Sequence, residues 1–463
     1  MRLEDVVSDP STLDATRLIV DEIAARGGRS ALVGGCVRDG LLGRPVTDVD
    51  LEVYGLEPDE VRAAVSARHR VRAVGESFAV LKVDGLDIDV SLPRRERSTG
   101  AGHADFVVDA DPHMGAVEAA SRRDFTINAM SLDMATGDLI DPFGGQADLD
   151  RGILRHTGPA FVEDPLRVLR GMQFAARFEA TMAPETIALC RTLSPADLSA
   201  ERFWGEWKKM ILLGRKPSMG LDILDQTGWL DHLPELAALK GCQQDPEWHP
   251  EGDVWTHTKH VMDMFARERM ASLRTDEADD LVVGLAALCH DLGKPSTTEF
   301  VDGRWRSHHH EVGGEEPTRE FLQGMRTPQD VVSQVVALVR DHLAPAQFHQ
   351  RGAGDGAIRR LAGRVGRIDL LIRVAKADHF GRPPLPAEHF PAGDWLAQRA
   401  AQLAVADSKP GPLVLGRHLI DDLGLEPGPD FRRILDACFE AQLDGQFTDL
   451  EGGIAVARSQ LST

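Results

Sequence analysis

The chain has 463 residues, with a hydrophobic content of 42% and a charged content of 27%, which is the composition of an ordinary globular protein. Its length is too great for one compact core, so several domains are expected. The formal net charge of −21 argues against a generic nucleic-acid binder, because phosphate contacts are made by Lys and Arg. Any RNA substrate must therefore be bound by a local basic surface.

The first residues do not have the pattern of a secretory leader, and no apolar run is long enough to span a bilayer. The five cysteines are scattered and form no C-x-x-C pair, which favours reduced thiols over a disulfide framework or a zinc knuckle. We therefore expect a cytoplasmic protein that is not associated with a membrane. The sequence leaves the oligomeric state open.

Residues 1–150 combine short strand-like and helix-like segments. Four segments have the β-branched content and the alternation of strands, namely SALVGG, DVDLEVYG, FAVLKVDG and LDIDVSL. Between them, PDEVRAAVSARH predicts a helix that begins on proline and acidic residues. The polar segment from Arg94 to His113 is typical of a mobile loop. The first third of the chain is therefore predicted to be an α+β head.

From Glu163 onward the sequence has helical periodicity almost throughout. The segment EDPLRVLRGMQFAARF places four apolar residues near one helix face: Leu166, Leu169, Met172 and Phe174. The turn-forming segment KGCQQDPEWHPEGD interrupts this pattern, and a second helical block begins at Val254. A proline-rich linker, GRPPLPAEHFPAGD, precedes a tail that is again mostly helical. We expect an all-α body behind the head.

The head carries a pattern that suits nucleotidyl transfer. Gly34 and Gly35 follow an apolar strand, and Asp48 and Asp50 lie on the next predicted strand, where residues two apart share a face. Two such carboxylates can hold Mg²⁺, which activates a hydroxyl and stabilises a leaving pyrophosphate. The glycines let backbone N–H groups approach a triphosphate. Asp89, on a later strand, is a candidate third carboxylate, with a solvated strand face as the alternative.

Five motifs in the first half of the chain resemble those of class II tRNA nucleotidyltransferases, the CCA-adding enzymes of the polymerase-beta-like superfamily. In chain order they are GGCVRD with DVD, SRRDFTINAM, DPFGGQADL, EDPLRVLR and ERFWGEWKKM. The resemblance implies a polymerase-beta-like head that adds C and A to the 3′ end of tRNA from CTP and ATP without a template. Related polymerases that add only CC, only A or a poly(A) tail share these motifs and remain alternatives.

The resemblance also implies roles for individual residues. Asp48 and Asp50 are the expected metal ligands. The expected nucleotide-binding residues are Gly34, Gly35, Arg38, Arg123, Asp124, Asn128, Asp164, Arg167 and Arg170. Within this set, Gly35 and Arg38 are expected to contact the phosphates.

Arg123 and Asp124 are expected to meet the triphosphate and the ribose, with Asn128 in support. Asp164 and Arg167, three apart on a predicted helix, are expected to read the base edge. A carboxylate accepts from the exocyclic amine that cytosine and adenine both carry, and a guanidinium donates to a ring nitrogen or carbonyl. Neither uracil nor guanine presents that pattern.

The later helical block contains a second set of histidines and carboxylates. In order they are His257, His290, Asp291, His310, His342 and Asp378. Mixed imidazole and carboxylate ligands suit Mn, Fe, Ni, Co or Zn better than Mg. The order resembles the HD superfamily of metal-dependent phosphohydrolases, which implies phosphatase or 2′,3′-cyclic phosphodiesterase activity, with Lys294 attracting the substrate phosphate. A phosphohydrolase whose head binds nucleotides for regulation is the alternative of a different class.

Together these features predict four parts: a nucleotidyltransferase head over 1–150, a helical nucleotide-recognition neck over 151–240, an HD domain over 241–385 and a helical tail over 386–463. The tail is a candidate tRNA-binding segment, because GLEPGPD predicts a tight turn into a helix near Phe431. One candidate basic surface is the series Arg359, Arg360, Arg364 and Arg367. The expected partners are tRNA, CTP and ATP.

Overall fold

The computed structural model describes residues 2–74, 80–98, 106–196, 198–272, 276–386 and 388–461. The chain divides into two compact units. The first comprises Met1–Glu206 and Met219–Trp229, and the second comprises Trp207–Ser218 and Leu230–Thr463. Every helix in the described ranges is either too short or too polar to cross a bilayer.

The first part of the chain alternates helices and strands. Its helices are α1 (Leu3–Val6), α2 (Pro10–Ala25), α3 (Gly35–Leu41), α4 (Pro58–Ser66), α5 (Ala116–Ser121), α6 (Gly145–Arg151), α7 (Leu166–Phe178), α8 (Pro184–Cys190), α9 (Ala200–Leu213) and α10 (Pro217–Thr227). Its strands are β1 (Arg29–Val33), β2 (Val49–Tyr54), β3 (Val71–Val74), β4 (Val80–Val83), β5 (Ile88–Ser91), β6 (Arg94–Ser98), β7 (Phe106–Ala110), β8 (Ser131–Asp133), β9 (Leu139–Ile140), β10 (Ile153–Leu154) and β11 (Thr181–Met182).

Seven of these strands form one mixed sheet in the order β3–β4–β5–β2–β1–β8–β9. Strands β2 and β5 are parallel, and the other neighbouring pairs are antiparallel. The parallel pair places Asp50 directly opposite Asp89. The predicted mixed sheet of the head is therefore present, and its one parallel junction brings two of the candidate carboxylates together.

The core of the head lies between this sheet and the helices that cover it. Helix α2 begins at Pro10, and the side chain of Asp9 accepts a hydrogen bond from the Thr12 amide at 2.8 Å, as an N-cap residue should. Its residues Ile19 and Ile23 are fully buried in the same core as the alternate strand residues. This burial fixes the face of β2 that carries Asp50.

Two local predictions in the head were wrong. The segment from Arg94 to His113 is not a loop throughout, because β6 and β7 pair as an antiparallel hairpin, while residues 99–105 lie outside the described residues. Asp48 does not lie on the strand, since β2 begins at Val49. The aromatic and β-branched residues of FVVDA are a strand signal that was outweighed by the Gly and Arg before it.

Among its described residues, the second unit has helices and one β-hairpin as its regular structure. Its helices are α11 (Pro234–Ala237), α12 (Val254–Ala271), α13 (Glu277–Cys289), α14 (Lys294–Thr297), α15 (His310–Gly313), α16 (Glu315–Gly324), α17 (Gln329–Asp341), α18 (Ala344–Arg351), α19 (Asp355–Val365), α20 (Ile368–Phe380), α21 (Pro391–Gln402), α22 (Gly416–Asp421), α23 (Asp430–Leu443) and α24 (Leu450–Ser459). The hairpin consists of β12 (Thr298–Val301) and β13 (Arg304–Ser307).

Four helices, α12, α13, α17 and α20, pack on one another to form the centre of this unit. Helix α13 is buried over its last ten residues, Asp280–Cys289, and His290 follows as its C-cap residue. Since α13 is surrounded by the other three helices, the residues at its carboxyl end meet side chains from each of them. The tail helices α22, α23 and α24 bury a small core of their own around Ile434.

Two candidate active sites

The turn between β1 and α3 requires glycine. Gly34 has a φ of 72° and a ψ of −129°, a conformation that residues with a Cβ rarely adopt. A Cβ at this position would lie 2.8 Å from Nη1 of Arg123 and 3.7 Å from Oδ2 of Asp50. Gly34, Asp50 and Arg123 therefore converge on one point at the end of the strand.

Asp50 lies directly opposite Asp89 on the paired strand and follows Asp48 closely in the chain. Burial raises the pKa of Asp50, and the negative charges of Asp48 and Asp89 raise it further, whereas Arg123 acts in the opposite direction. Neighbouring carboxylates repel, and a divalent cation relieves that repulsion. The donor set, which consists of carboxylate oxygens, fits a hard cation such as Mg²⁺.

Asp89 has a competing partner. Lys82 lies opposite it across β4 and β5, with Nζ 2.8 Å from Oδ2. Asp89 therefore stands next to Asp50, as predicted, but its carboxylate is engaged by an ammonium group. A cation that used Asp89 would have to displace Lys82.

Arg38 does not lie where it was expected. Its guanidinium is 3% exposed and donates to Oδ1 of Asn128 at 2.5 Å and to Asp39 at 2.8 Å. It also lies 4.4 Å from the ring centre of Phe178. Because its donors are satisfied inside the protein, Arg38 holds α3 in place and is not positioned to contact a phosphate.

Asp124 and Arg170 form an ion pair, with Nε of Arg170 2.6 Å from Oδ2 of Asp124. Burial opposes ionisation of Asp124, but Arg170, the Asn128 side chain and the Phe125 amide together lower its pKa below the ordinary value. Asp124 is 6% exposed. It therefore holds neighbouring side chains in position and is not placed to contact a ribose. With Arg38, these residues make one chain of contacts, Arg38–Asn128–Asp124–Arg170.

Glu52 is a site residue that the sequence did not reveal. Its buried carboxylate accepts a hydrogen bond from the Tyr54 hydroxyl at 2.5 Å and lies 3.4 Å from Nη2 of Arg123. It therefore holds Arg123 over Gly34. Its position two residues after Asp50, in DVDLE, was the available signal, since alternate strand residues share a face.

The two residues expected to read the base each have partners within the protein. Asp164 precedes α7, caps the Leu166 amide at 3.1 Å and pairs with Arg202 at 2.7 Å. Arg167, in the first turn of α7, donates to the carbonyls of Ala160 at 2.8 Å and Arg122 at 2.7 Å. The expectation that both lie on one helix face was wrong, because the helix begins at Leu166. Arg202, in the fifth motif, was missed.

The second unit brings together all six residues of the predicted HD set. His257 lies on α12, His290 and Asp291 follow α13, His310 begins α15, His342 follows α17 and Asp378 lies on α20. Every one of the four imidazoles is at least nine-tenths buried. Their convergence from five separate segments is difficult to explain by packing, since buried polar groups require partners.

Five of the six residues form two groups that share Asp291, and Oδ1 of the sixth, Asp378, lies 3.1 Å from Nε2 of His257. Oδ2 of Asp291 is 3.2 Å from Nε2 of His290 and 3.7 Å from Nε2 of His257. Oδ1 of the same carboxylate is 3.4 Å from Nε2 of His310, which is 3.3 Å from Nε2 of His342. Each group has the spacing of ligands that could hold a cation, and Asp291 belongs to both groups.

The hydrogen bonds behind the rings show which nitrogen is available. Nδ1 of His290 is 2.8 Å from the Ala287 carbonyl, and Nδ1 of His342 is 2.6 Å from that of Val339. Nδ1 of His310 is 2.8 Å from the Ser307 carbonyl. A carbonyl accepts only from a protonated nitrogen, so each Nε2 presents a lone pair to the centre. Such lone pairs, beside the buried carboxylate of Asp291, fit a metal ion.

The charges around the centre are nearly balanced. Burial opposes ionisation of Asp291, but His290 and Lys294, whose Nζ is 2.8 Å from Oδ2, hold its pKa well below the ordinary value. Burial lowers the pKa of His310 to about 4, so its imidazole is neutral and able to bind a metal at neutral pH.

Glu251 and His249 were missed by the sequence analysis. Oε1 of Glu251 lies 2.7 Å from Nδ1 of His257 and 2.9 Å from Nδ1 of His249, and the Glu251 side chain is completely buried. A carboxylate behind a metal-binding imidazole fixes its orientation and increases its basicity. Burial lowers the pKa of His257, but hydrogen bonds to Asp378 and Glu251 outweigh burial and raise it to about 9. The HPE triplet in the turn-rich segment was the only signal.

The predicted basic series lies on α19 and, for Arg367, just after that helix. Its arginines bind acidic side chains and carbonyls of the second unit: Arg359 the Leu443 carbonyl, Arg360 Glu440 and Asp444, Arg364 Asp341, and Arg367 Asp279 and Asp369. These contacts join the series to neighbouring segments. RNA binding by this series therefore stays a prediction.

Three family models match the chain. They are "Poly A polymerase head domain" over residues 30–155, "Probable RNA and SrmB- binding site of polymerase A" over residues 181–240, and "HD domain" over residues 254–381. Proteins matched by the first and third models depend on metal ions. The matches confirm the predicted head and HD domain.

Curated relatives match most of the chain. The multifunctional CCA protein of Stenotrophomonas maltophilia is 39% identical over 390 residues, which is 81% of this chain and 91% of the relative. That of Xanthomonas campestris is 38% identical over 405 residues, which is 83% of this chain and 94% of the relative.

Solved structures share the fold. The CCA-adding enzyme of Bacillus stearothermophilus in complex with CTP has a TM-score of 0.68 at 23% identity, and 98% of each chain is covered. That of Thermotoga maritima complexed with tRNA has a TM-score of 0.59 at 19% identity, covering 99% of this chain and 97% of the other. The predicted α+β head followed by a helical body is confirmed.

Proposed function

The chain belongs to the family of multifunctional CCA proteins, and from this membership we infer two chemistries on one polypeptide. The first unit is a tRNA nucleotidyltransferase that adds C and A to the 3′ end of tRNA from CTP and ATP. The second unit carries an auxiliary phosphohydrolase centre. The observation that supports this division most directly is that imidazoles and carboxylates converge in the second unit, whereas Asp50 and Asp89 lie side by side on paired strands of the first.

In the transferase reaction, the 3′-hydroxyl oxygen of the RNA bonds to the α-phosphorus of the nucleoside triphosphate, and the bond to pyrophosphate breaks. Asp48 and Asp50 would hold Mg²⁺, which, when bound, lowers the pKa of the hydroxyl and stabilises the leaving group. Arg123, held over Gly34 by Glu52, supplies positive charge where the triphosphate must lie.

Selection of C and A is assigned to Asp164 and Arg167. In the structure Asp164 is engaged by Arg202 and Arg167 by two carbonyls. Both side chains keep partial solvent access, so a base can compete for them. Their carboxylate and guanidinium match the donor and acceptor pattern that cytosine and adenine share.

In the hydrolase reaction, a water oxygen bonds to phosphorus, the bond to the ribose 2′ or 3′ oxygen breaks, and that oxygen takes the proton. The four histidines with Asp291 and Asp378 would hold Mn, Fe, Ni, Co or Zn, which, when bound, supplies Lewis acidity toward the water and the phosphoester. Lys294, in contact with Asp291, is placed to attract the substrate phosphate. The substrate class is a 2′,3′-cyclic phosphate or a phosphomonoester at an RNA end.

The test of the transferase is incubation with tRNA that lacks its 3′ CCA, with CTP and ATP separately and together, followed by sequencing of the product ends. We expect CC with CTP alone and CCA with both. Addition of A only, of CC only, or of a poly(A) tail would assign one of the related polymerases. Because the five thiols are free, we place the reaction in the reducing cytoplasm.

The test of the hydrolase is a variant with His290→Ala and Asp291→Ala. Wild-type protein stripped of metal and reloaded with Mn²⁺, Ni²⁺, Co²⁺ or Zn²⁺ should hydrolyse a 2′,3′-cyclic phosphate, and the reloaded variant should not. Nucleotide addition should continue in the variant, and circular dichroism should show that it is folded. If the folded variant loses nucleotide addition, the HD residues serve the polymerase and no second chemistry exists.

A further inference from the structure

The hairpin β12–β13 carries an exposed aromatic pair. Phe300 and Trp305 lie directly opposite each other across the two strands, with ring centres 5.1 Å apart. Phe300 is 60% exposed in spite of that contact. A two-stranded hairpin buries little apolar surface by itself, so two aromatic side chains on its surface call for a partner.

The base of this hairpin is attached directly to the HD centre. The Thr298 hydroxyl, at one end, donates to the Lys294 carbonyl at 2.7 Å, and Nζ of Lys294 is 2.8 Å from Asp291. The Ser307 carbonyl, at the other end, accepts from Nδ1 of His310 at 2.8 Å. Both strands therefore end on residues that touch the cation-binding cluster.

The aromatic pair shares a face with those attachment points. Side chains two apart on a strand point the same way, so Phe300 lies on the face of Thr298, and Trp305 on the face of Ser307. The hydroxyls of Thr298 and Ser307 are 2.7 Å apart. At about 3.3 Å per residue, the rings lie roughly 7 Å along the hairpin from that rung.

A second segment that leads into the centre lies beside the hairpin. Arg304, in the hairpin, pairs with Glu247 at 2.6 Å. Glu247 precedes Trp248, which is 57% exposed, and His249, which shares Glu251 with the ligand His257. Exposed aromatic rings together with arginine are the groups on which unpaired bases stack.

We propose that Phe300 and Trp305 form a stacking surface for the nucleobase of the RNA end whose phosphoester is hydrolysed at the HD centre. The inference rests on the proposed hydrolase function, and it adds that this site recognises the base as well as the phosphate. A base has a π-face whatever its identity, so the surface favours any nucleotide over a phosphoester without a base.

The experiment compares two substrates with the same phosphoester in full-length protein loaded with Mn²⁺. One is adenosine 2′,3′-cyclic phosphate, and the other is 1-O-methylribose 2′,3′-cyclic phosphate, which has no base. In the variants Phe300→Leu and Trp305→Leu, KM for the adenosine substrate should rise roughly tenfold, while kcat and the kinetics of the base-free substrate stay unchanged. Trp305→Phe should restore most of the preference.

Val301→Ala is the matched control, because Val301 lies on the same strand as Phe300 but on the opposite face. It should leave the kinetics of both substrates unchanged. Equal losses on both substrates in the leucine variants would show that the rings only hold the hairpin, and unchanged kinetics would show that they do nothing. Both results overturn the proposal. If wild-type protein hydrolyses neither substrate, the hydrolase function fails. The stacking surface is then tested separately by calorimetric binding of adenosine 2′-monophosphate. Binding that is tenfold weaker in Phe300→Leu than in wild-type protein supports the proposal, and an equal Kd overturns it.

Discussion

Replacement of Glu251 by glutamine isolates the effect of one buried charge on metal binding. In the structure, Oε1 of Glu251 lies 2.7 Å from Nδ1 of His257. Glutamine keeps the shape of the side chain and an oxygen that can accept a hydrogen bond from this nitrogen, but it removes the negative charge. Hydrogen bonds to charged groups contribute about 1.5–3 kcal/mol and neutral ones about 0.5–1.5 kcal/mol. The difference, about 1–1.5 kcal/mol, corresponds to roughly tenfold in an equilibrium constant. This agrees with the loss of about 10- to 100-fold seen when such partners are changed elsewhere.

We therefore expect Glu251→Gln to bind Mn²⁺ or Ni²⁺ roughly tenfold more weakly than wild-type protein. The measurement is titration of metal-stripped protein against a chelating indicator, which gives Kd without reference to activity. Glu247→Gln is the matched control, because Glu247 lies in the same segment but is 58% exposed and pairs with Arg304. Nucleotide addition reports that both variants are folded. A Kd for Glu251→Gln within twofold of wild type would refute the role assigned to this carboxylate.

Three further outcomes are expected. Asp50→Ala, like Asp48→Ala, should abolish nucleotide addition and leave cyclic-phosphate hydrolysis at its wild-type rate, and transfer near wild type would exclude these metal ligands. Arg167→Ala should reduce the preference for CTP and ATP over UTP and GTP roughly tenfold, as measured by incorporation assays, and unchanged selectivity would leave this arginine a structural role. Arg170→Gln should destabilise the protein in urea unfolding by roughly 2–4 kcal/mol, because it leaves Asp124 buried and unpaired. That difference in the free energy of unfolding should shrink as the pH falls below about 4. The pKa of Asp124 is lowered in the folded protein, so the stability that its ion pair contributes is lost when Asp124 is protonated.

Residues that follow a local pattern could be predicted from the sequence. The alternation in DVDLEVY fixed a strand, and its parallel pairing with β5 brought Asp89 beside Asp50. His290 and Asp291 were identified because two polar residues at the end of an apolar helix have no other explanation. In each case the signal lay within one segment of secondary structure.

Residues whose role depends on a distant partner could not be predicted. Arg38 donates a hydrogen bond to the side chain of Asn128, which lies 90 residues away in the chain. Nothing near Arg38 in the sequence indicates that its guanidinium is buried. The series Arg359–Arg367 resembled a basic surface because most of its acidic partners lie 23 to 88 residues away, although Asp369 is two residues from Arg367. Spacing along the chain cannot distinguish a paired arginine from one that is available to a phosphate.

The two sites use aspartate in opposite electrostatic settings. The pKa of Asp50 is raised first by burial and then by the charges of Asp48 and Asp89, and a cation bound there would relieve that repulsion. A nucleoside triphosphate brings more negative charge, so cation and nucleotide stabilise each other's binding there. Asp291 stands among imidazoles and Lys294, which already hold its pKa far below the ordinary value. Because Asp291 is already ionised, a metal bound there has to displace Lys294 rather than a proton, and the nitrogen ligands favour a transition metal over Mg²⁺.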